Sequence, residues 1–254
     1  MSNADQEMTI IDHLDELRKR ILICILFAFL FSIIAYTKSS TIISLLKAPL
    51  GDVVLVFITP MEGFMTKLKV ALLGGMVLAS PVLFLQTLLF MSPALYKKEK
   101  ILLFSCLPFI ILLFFGGIYF SYQFILPTTL QYLMSFSDES MKPMLSAEKY
   151  FTFVIMLTIA IGAIFELPMI MLLLSKLGIV NYELLAKRRK YALLVIVTIT
   201  AVLTPTPDAF TLLAVAVPLI LLFEISLGVM YLYHKIAGSR RNEDEEVSEE
   251  IHNS

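Results

Sequence analysis

The stretch ILLFSCLPFIILLFFGGIYF, residues 101–120, contains no charged residue. Because an α-helix needs about 20 consecutive apolar residues to cross the hydrocarbon core of a bilayer, this stretch predicts a transmembrane helix. The whole chain of 254 residues has the same character, with 58% hydrophobic and 16% charged residues. An average soluble domain has about 45–50% apolar and about 25% charged residues. The composition therefore excludes a water-soluble enzyme domain, and it equally excludes a disordered chain.

Six apolar segments together predict an all-α integral membrane protein with a transmembrane domain over residues 21–235. The fifth segment has only about 13 residues and a length of about 20 Å as a helix, against a hydrocarbon core of about 30 Å. Taken alone, this fifth segment could also be re-entrant. The six segments cover about residues 21–36, 70–91, 101–133, 150–175, 191–203 and 209–233.

The Lys and Arg residues are distributed unevenly between the loops, and this decides how many segments cross. If all six cross, 14 of the 20 basic residues fall on one side, in the two termini and the loops after segments two and four. The positive-inside rule then places that side and both termini in the cytoplasm. If the fifth segment did not cross, the C-terminal basic cluster would lie outside, against the rule. We therefore count it as a span.

The two ends of the chain are polar. Apolar residues at helical spacing between Ile10 and Ile21, with acids first and bases last, predict that residues 1–20 form a cytoplasmic amphipathic segment leading into the first span. Within it, Glu16 has two interpretations: it pairs with Arg20 four residues later, or it is presented to a basic ligand. The tail, residues 236–254, carries six acids and is predicted to be disordered and cytoplasmic.

Other acids stand out against the apolar background. Glu99 is a single acid among three lysines at the start of the third segment, where it either pairs with a neighbouring lysine or binds a ligand. Glu166 and Glu224 lie inside predicted spans, where an ionisable side chain is costly and functional by default. Pro168 should kink the helix beside Glu166. The bland interpretation of both acids is an interhelical hydrogen bond, and Gln86 in segment two is a lesser polar candidate.

Signatures of catalysis and of cofactor binding are missing. No phosphate-binding glycine loop, zinc-protease motif or serine-hydrolase motif occurs. The only two cysteines, Cys24 and Cys106, lie inside apolar runs without neighbouring ligands. We expect no enzymatic activity, no catalytic residue, no metal, no cofactor and no nucleic-acid partner.

Four motifs in their order along the chain resemble those of the TatC family, the multispanning core subunit of the twin-arginine protein translocase. Isolated prolines, Pro49 in the first outer loop and Pro81 in the second span, also match the family. The motifs are His13-Leu-Asp-Glu-Leu-Arg18, Ser92-Pro-Ala-Leu-Tyr-x-x-Glu99, Phe165-Glu-Leu-Pro168, and Leu203-Thr-Pro-x-Pro-Asp208 followed by Pro218 and Phe223-Glu224.

The resemblance implies a receptor for signal peptides that carry two consecutive arginines, and it implies Glu16 and Glu99 as the binding acids. Carboxylate and guanidinium form planar, bidentate pairs, which suits such a ligand. Arg18 and Lys97 are implied as neighbours that orient these acids. Further implied residues are Glu166, Gln86 and Glu224 as polar or partner contacts, and Pro49, Pro81, Pro205 and Asp208 as structural or functional positions.

The resemblance further implies a multi-copy complex in the bacterial plasma membrane. TatA-like and TatB-like single-span subunits would join it to export folded proteins with the proton motive force. The family also implies a curved, glove-like arrangement, with Glu166 facing the concave side and with short fifth and sixth spans that thin the bilayer. The fifth apolar segment of this chain is short, whereas the sixth, at about 25 apolar residues, departs from that pattern.

Two other functions remain as alternatives. A proton-coupled transporter of small solutes would use Glu166 as its proton site, although no internal repeat supports it. A membrane enzyme is the third hypothesis, without a visible catalytic constellation.

Overall fold

The computed structural model describes residues 10–51, 53–94, 96–136, 144–176, 180, 182–203 and 209–252. For residues 10, 94, 97, 98, 182, 203 and 233–252 it describes the backbone only. The chain divides into two units, Met1–Ala163 and Ile164–Ser254, and each is taken by itself below.

The first unit is built from long apolar helices. Its helices are α1 (Ile10–Thr37), α2 (Ser39–Lys47), α3 (Pro60–Met91), α4 (Lys97–Phe120), α5 (Leu126–Met134) and α6 (Ala147–Ile164), with two short strands, β1 (Leu55–Val56) and β2 (Leu145–Ser146). Short 3₁₀ turns follow α2 and α3. A π-helical stretch, Ser121–Ile125, joins α4 to α5. Pro127, which lacks an N–H to donate, is the second residue of α5 after this wider turn.

The second unit contains four further helices. They are α7 (Leu167–Lys176), α8 (Tyr182–Lys187), α9 (Arg189–Leu203) and α10 (Ala209–His252). Within the unit, α10 packs against α7, α8 and α9. Pro218 lies inside α10 without ending it, as is common in membrane helices.

Five segments of the described chain are long and apolar enough to cross a membrane. They are Ile11–Thr37, Pro60–Met91, Glu99–Met134, Ala147–Lys176 and Ala209–Leu232. The fifth predicted segment forms α9, whose 15 residues give a length of about 22 Å. The prediction that this helix is short is therefore confirmed.

The contact between α1 and α3 organises the first unit. At their crossing, a Cβ built on Gly75 would lie 2.3 Å from the Oγ of Ser32 and 2.5 Å from its Cα. Only glycine permits this approach, since no real Cβ tolerates such distances. The Ser32 hydroxyl donates to the carbonyl of Ala28 at 2.7 Å, which keeps it bonded inside its own helix. Gly75 and Ser32 are therefore the residues at which α1 and α3 approach each other most closely among the glycine contacts described.

Pro81 sits inside α3 without breaking it. Proline has no N–H to donate to the carbonyl four residues earlier, which is that of Val77. The hydroxyl of Ser80 donates to this carbonyl at 2.7 Å and replaces the missing bond. A neighbouring serine therefore explains why the helix continues from Pro60 to Met91.

A polar cluster closes the first unit at the end of α1 opposite to Glu16. There β1 and β2 pair in parallel, with Leu55 opposite Leu145. The buried carboxylate of Glu62 accepts from the backbone N–H of Ile58 at 3.1 Å and from the hydroxyl of Ser146 at 3.3 Å. Lys69 forms an ion pair with Glu148 close by. These contacts tie together two regions of the chain that are 79 to 90 residues apart in sequence.

The sequence predicted boundaries between the transmembrane domain and the two terminal segments at residues 20 and 236. In the structure a helix continues through each of these positions. α1 runs without interruption from Ile10 to Thr37, so the amphipathic segment leads into the first predicted span within one helix. The position of residues 10–20 relative to the membrane surface stays a prediction. Likewise α10 continues to His252, so the tail is helical rather than irregular over residues 236–252. Its separation from the membrane domain stays a prediction.

Candidate functional site

Glu16, Arg20 and Gln86 form a polar cluster where α1 packs on α3. The guanidinium of Arg20 donates through Nη2 to Oε1 of Glu16 at 3.0 Å and through Nη1 to Oε1 of Gln86 at 2.9 Å. Arg20 and Glu16 are one helical turn apart, which is the spacing at which side chains on one helix meet. Gln86 lies 66 residues further along and is buried. The planar guanidinium therefore connects two helices through one side chain.

The second oxygen of Glu16 is left without a partner. Its Oε2 is buried and accepts no hydrogen bond, although the side chain as a whole keeps 16% of its surface exposed. A buried carboxylate oxygen without a donor costs free energy, on the order of 1–3 kcal/mol or more for a charged group. The site is therefore a half-satisfied carboxylate.

An aromatic contact holds the first turns of α1 in place. The rings of His13 and Phe90 stack with 4.4 Å between their centroids and an angle of 21° between their planes. His13 lies one turn before Glu16 on α1, and Phe90 one turn after Gln86 on α3. The stack therefore fixes the register of the two helices at the point where the polar cluster forms. In the sequence, His13 belongs to a family motif without an assigned role, and no local pattern points to Phe90.

Glu99 lies near the same end of α3, at the start of α4. Its Oε2 accepts the backbone N–H of Tyr96 at 2.8 Å. This is the reach-back contact of a capping box, and it fixes the carboxylate of Glu99 at the positive end of the helix dipole. Whether Glu99 also pairs with a neighbouring lysine stays a prediction, because the side chains of Lys97 and Lys98 lie outside the described residues. Arg18 is exposed on α1.

Glu166 lies at an interruption of the fourth predicted span. α6 ends at Ile164 and α7 begins at Leu167, so Phe165 and Glu166 form a turn between them. This break in the helix confirms the predicted irregularity beside Pro168. Its physical cause is that proline has no N–H to donate to the carbonyl of Ile164. Glu166 is 5% exposed, and its backbone carbonyl accepts the N–H of Ile170 at 2.9 Å.

Glu224 pairs with a base from a neighbouring helix. Its Oε2 lies 3.3 Å from Nη1 of Arg189, at the first residue of α9. The interhelical contact considered for Glu224 is therefore an ion pair. The pair therefore joins the first residue of the short helix α9 to the side of α10. The two side chains are 46% and 40% exposed, so each can also reach another partner.

The remaining predicted positions are prolines and one aspartate. Pro49 lies in the 3₁₀ turn after α2 and Pro81 inside α3, whereas Pro205 and Asp208 lie outside the described residues. The structure brings Glu16 and Gln86 together through Arg20. Among the described residues, no group of three or more His, Cys, Asp or Glu could hold a metal ion.

Comparison with known proteins gives one consistent result. The family model for the Sec-independent protein translocase protein TatC matches residues 12–218. The chain is 39% identical to the TatC protein of Carboxydothermus hydrogenoformans, over 89% of this chain and 93% of the relative. It is 34% identical to TatCy of Bacillus subtilis, over 95% of this chain and 96% of the relative.

A solved structure agrees with these relatives. A crystal structure of the twin-arginine translocase receptor TatC superposes with a TM-score of 0.78 at 36% identity, over 87% of this chain and 98% of that one. The sequence-based prediction of an all-helical, multi-pass membrane protein is confirmed by this match, and a count of six spans agrees with it.

Proposed function

The chain belongs to the TatC family of Sec-independent protein translocase proteins, and from this membership we propose that it is the receptor subunit of a twin-arginine translocase. In this role it binds the twin-arginine signal peptides of folded precursor proteins. The alternative of a proton-coupled solute transporter finds no support among the relatives.

The observation that carries the proposal is the half-satisfied carboxylate of Glu16. A guanidinium donates through two parallel N–H groups and gains most when both carboxylate oxygens accept. Oε2 is vacant, and Oε1 is held by Arg20, which has Gln86 as its second acceptor. We infer that a signal arginine completes the carboxylate at Oε2 after a side-chain movement exposes this buried oxygen. It reaches the two-oxygen geometry when Arg20 shifts toward Gln86.

Glu99 supplies the second acid for a second arginine. The capping bond fixes one oxygen of this partly exposed side chain, and the second oxygen is the one proposed to accept from the ligand. Two fixed carboxylates select guanidinium over ammonium, because a lysine presents a compact point charge that fits one oxygen at a time. Arg18 and Lys97 then limit the binding of peptides that are merely basic.

Partners and location follow from the family and from the charges. We infer that TatA-like and TatB-like single-span subunits join a multi-copy complex with this chain, and that the proton motive force drives export. We place the protein in the bacterial plasma membrane with both termini in the cytoplasm, as the positive-inside rule requires of the basic loops. Glu166 and Glu224 remain proposed polar or partner contacts.

Photo-cross-linking of a precursor tests the proposed function. A photoreactive residue at Leu14 or Tyr96, exposed neighbours of Glu16 and Glu99, should cross-link to a twin-arginine precursor in membranes that hold the complete translocase. A photoreactive residue at Tyr36, at the opposite end of α1, should not. Equal cross-linking of a twin-lysine precursor, or cross-linking from Tyr36 alone, would contradict the proposal.

Gln86→Leu should weaken signal binding although the residue does not touch the signal. Without the amide, Arg20 loses the acceptor toward which it shifts and stays on Oε1 of Glu16, where it competes with the signal arginine. We therefore expect a loss on the order of tenfold in peptide affinity, which corresponds to about 1.4 kcal/mol. Thr87→Leu, the next position on α3 and exposed, is the matched control and should leave affinity unchanged. Melting temperatures of both variants separate positioning from folding. A normal affinity in Gln86→Leu would contradict this role.

A further inference from the structure

A groove of about 370 Å³ opens in the first unit between α1, α2, α3, α4 and α6. Its walls are aliphatic side chains, and its floor includes two small residues, Ala35 and Gly74. A Cβ on Gly74 would meet the Cδ1 of Ile42 at 3.6 Å and the Cβ of Ala35 at 3.7 Å, so the groove exists because a side chain is missing there. The polar cluster of Glu16 lies at the other end of α1 and takes no part in it.

Two polar groups interrupt the aliphatic lining, Lys38 and Thr158. Lys38 follows the last residue of α1, is exposed, and forms none of the ion pairs found in the described part of the chain. It is therefore a cation at the mouth of an otherwise apolar groove. A lysine at the end of a membrane helix places its ammonium at headgroup height while its stem covers apolar surface.

Thr158 lies deeper, on α6, and its hydroxyl has no hydrogen-bond partner although the residue is 92% buried. Thr152 on the same helix and Thr200 on α9 donate to the carbonyl four residues earlier, whereas the buried hydroxyls of Thr66 and Thr129, which do not line the groove, resemble that of Thr158 in having no partner. A buried hydroxyl without a partner costs free energy, so it points to an acceptor that comes from outside the chain.

We propose that this groove binds one anionic glycerophospholipid. An acyl chain fills the aliphatic part, the headgroup phosphate pairs with Lys38, and the hydroxyl of Thr158 donates to an ester oxygen between them. The occupant follows from the setting: the groove belongs to a membrane-spanning unit, its lining matches hydrocarbon, and its single cation matches an anionic headgroup. With both termini in the cytoplasm, as proposed above, the lipid belongs to the outer leaflet.

The chain contains no tryptophan, which permits a clean fluorescence test. A Leu78→Trp reporter lies on the groove wall, and a Leu112→Trp reporter lies on α4 outside it with 68% exposure. Each protein is reconstituted in phosphatidylcholine vesicles that contain brominated phosphatidylglycerol or, separately, brominated phosphatidylcholine. We expect the groove reporter to be quenched at an at least threefold lower fraction of the anionic lipid, and the control reporter equally by both.

Substitutions decide which groups are responsible. Lys38→Gln should remove the preference for phosphatidylglycerol at the groove reporter, whereas Lys47→Gln, a lysine on α2 outside the lining, should keep it. Gly74→Leu, which fills the groove, should reduce quenching by both lipids. Equal quenching by both lipids in the unsubstituted background, or a preference that survives Lys38→Gln, would overturn the proposal. A groove reporter that neither lipid quenches would also overturn it, because protein would then fill the groove.

Discussion

Glu16→Gln is expected to lower the affinity for a twin-arginine signal peptide by at least roughly 30-fold. Removing one partner of a buried, hydrogen-bonded charge pair costs about 2–5 kcal/mol, and each 1.4 kcal/mol is a factor of ten. The amide keeps an oxygen for Arg20, but its NH₂ group takes the place of the vacant Oε2 and opposes an incoming N–H donor. The loss thus falls on ligand binding and spares the contact between α1 and α3.

The structure also predicts an order between the two acids. Glu99 is fixed at one oxygen and more open to solvent, where ion pairs contribute less. We expect Glu99→Gln to cost about five- to tenfold, clearly less than Glu16→Gln, with α4 still capped because glutamine also accepts the N–H of Tyr96.

Peptide affinity is measured with the complete translocase in membranes, together with export of a folded precursor. Asp15→Asn is the matched control, since this exposed acid is adjacent to Glu16 on α1 but lies outside the cluster. It should bind and export normally. A loss in Asp15→Asn as large as in Glu16→Gln would show that only the total charge of the segment matters.

Gly75→Ala should destabilise the whole first unit, although it adds a single methyl group. The added Cβ would meet backbone atoms of Ser32 at 2.5 Å, and backbone cannot rotate away as a side chain can. α1 and α3 must separate, and overpacking of this kind costs about 1–3 kcal/mol or more. Separation also pulls Arg20 away from Gln86, so export falls together with stability.

Gly116→Ala is the control for this second prediction. The same Cβ at Gly116 on α4 meets nothing within 4 Å, and alanine favours helix over glycine by about 1 kcal/mol. Melting temperatures in detergent should therefore drop for Gly75→Ala and stay equal or rise for Gly116→Ala. If both variants melt like the parent, the close crossing of α1 and α3 does not exist in solution.

The sequence alone predicted what depends on composition and on near neighbours. Spans follow from runs of apolar residues, the pair of Glu16 and Arg20 from a spacing of four, and the interruption at Glu166 from Pro168. Each of these is decided within one or two helical turns, so no tertiary information is needed.

Contacts between distant segments could not be predicted in this way. The bond from Arg20 to Gln86, the stack of His13 on Phe90 and the crossing at Gly75 each join α1 to α3 across 43 to 77 residues. They depend on the register in which two apolar helices pack, which periodicity leaves open when both helices are hydrophobic on all sides.

A double-mutant cycle between Glu16 and the signal arginines tests the central claim most directly. Four affinities are needed: the native chain and Glu16→Gln, each with the twin-arginine peptide and with a peptide in which one arginine is replaced by glutamine. If that arginine pairs with Glu16, its replacement costs at least tenfold in the native chain and less than threefold in Glu16→Gln. If the arginine replacement costs the same factor in both proteins, Glu16 does not bind the signal arginine and the account is wrong.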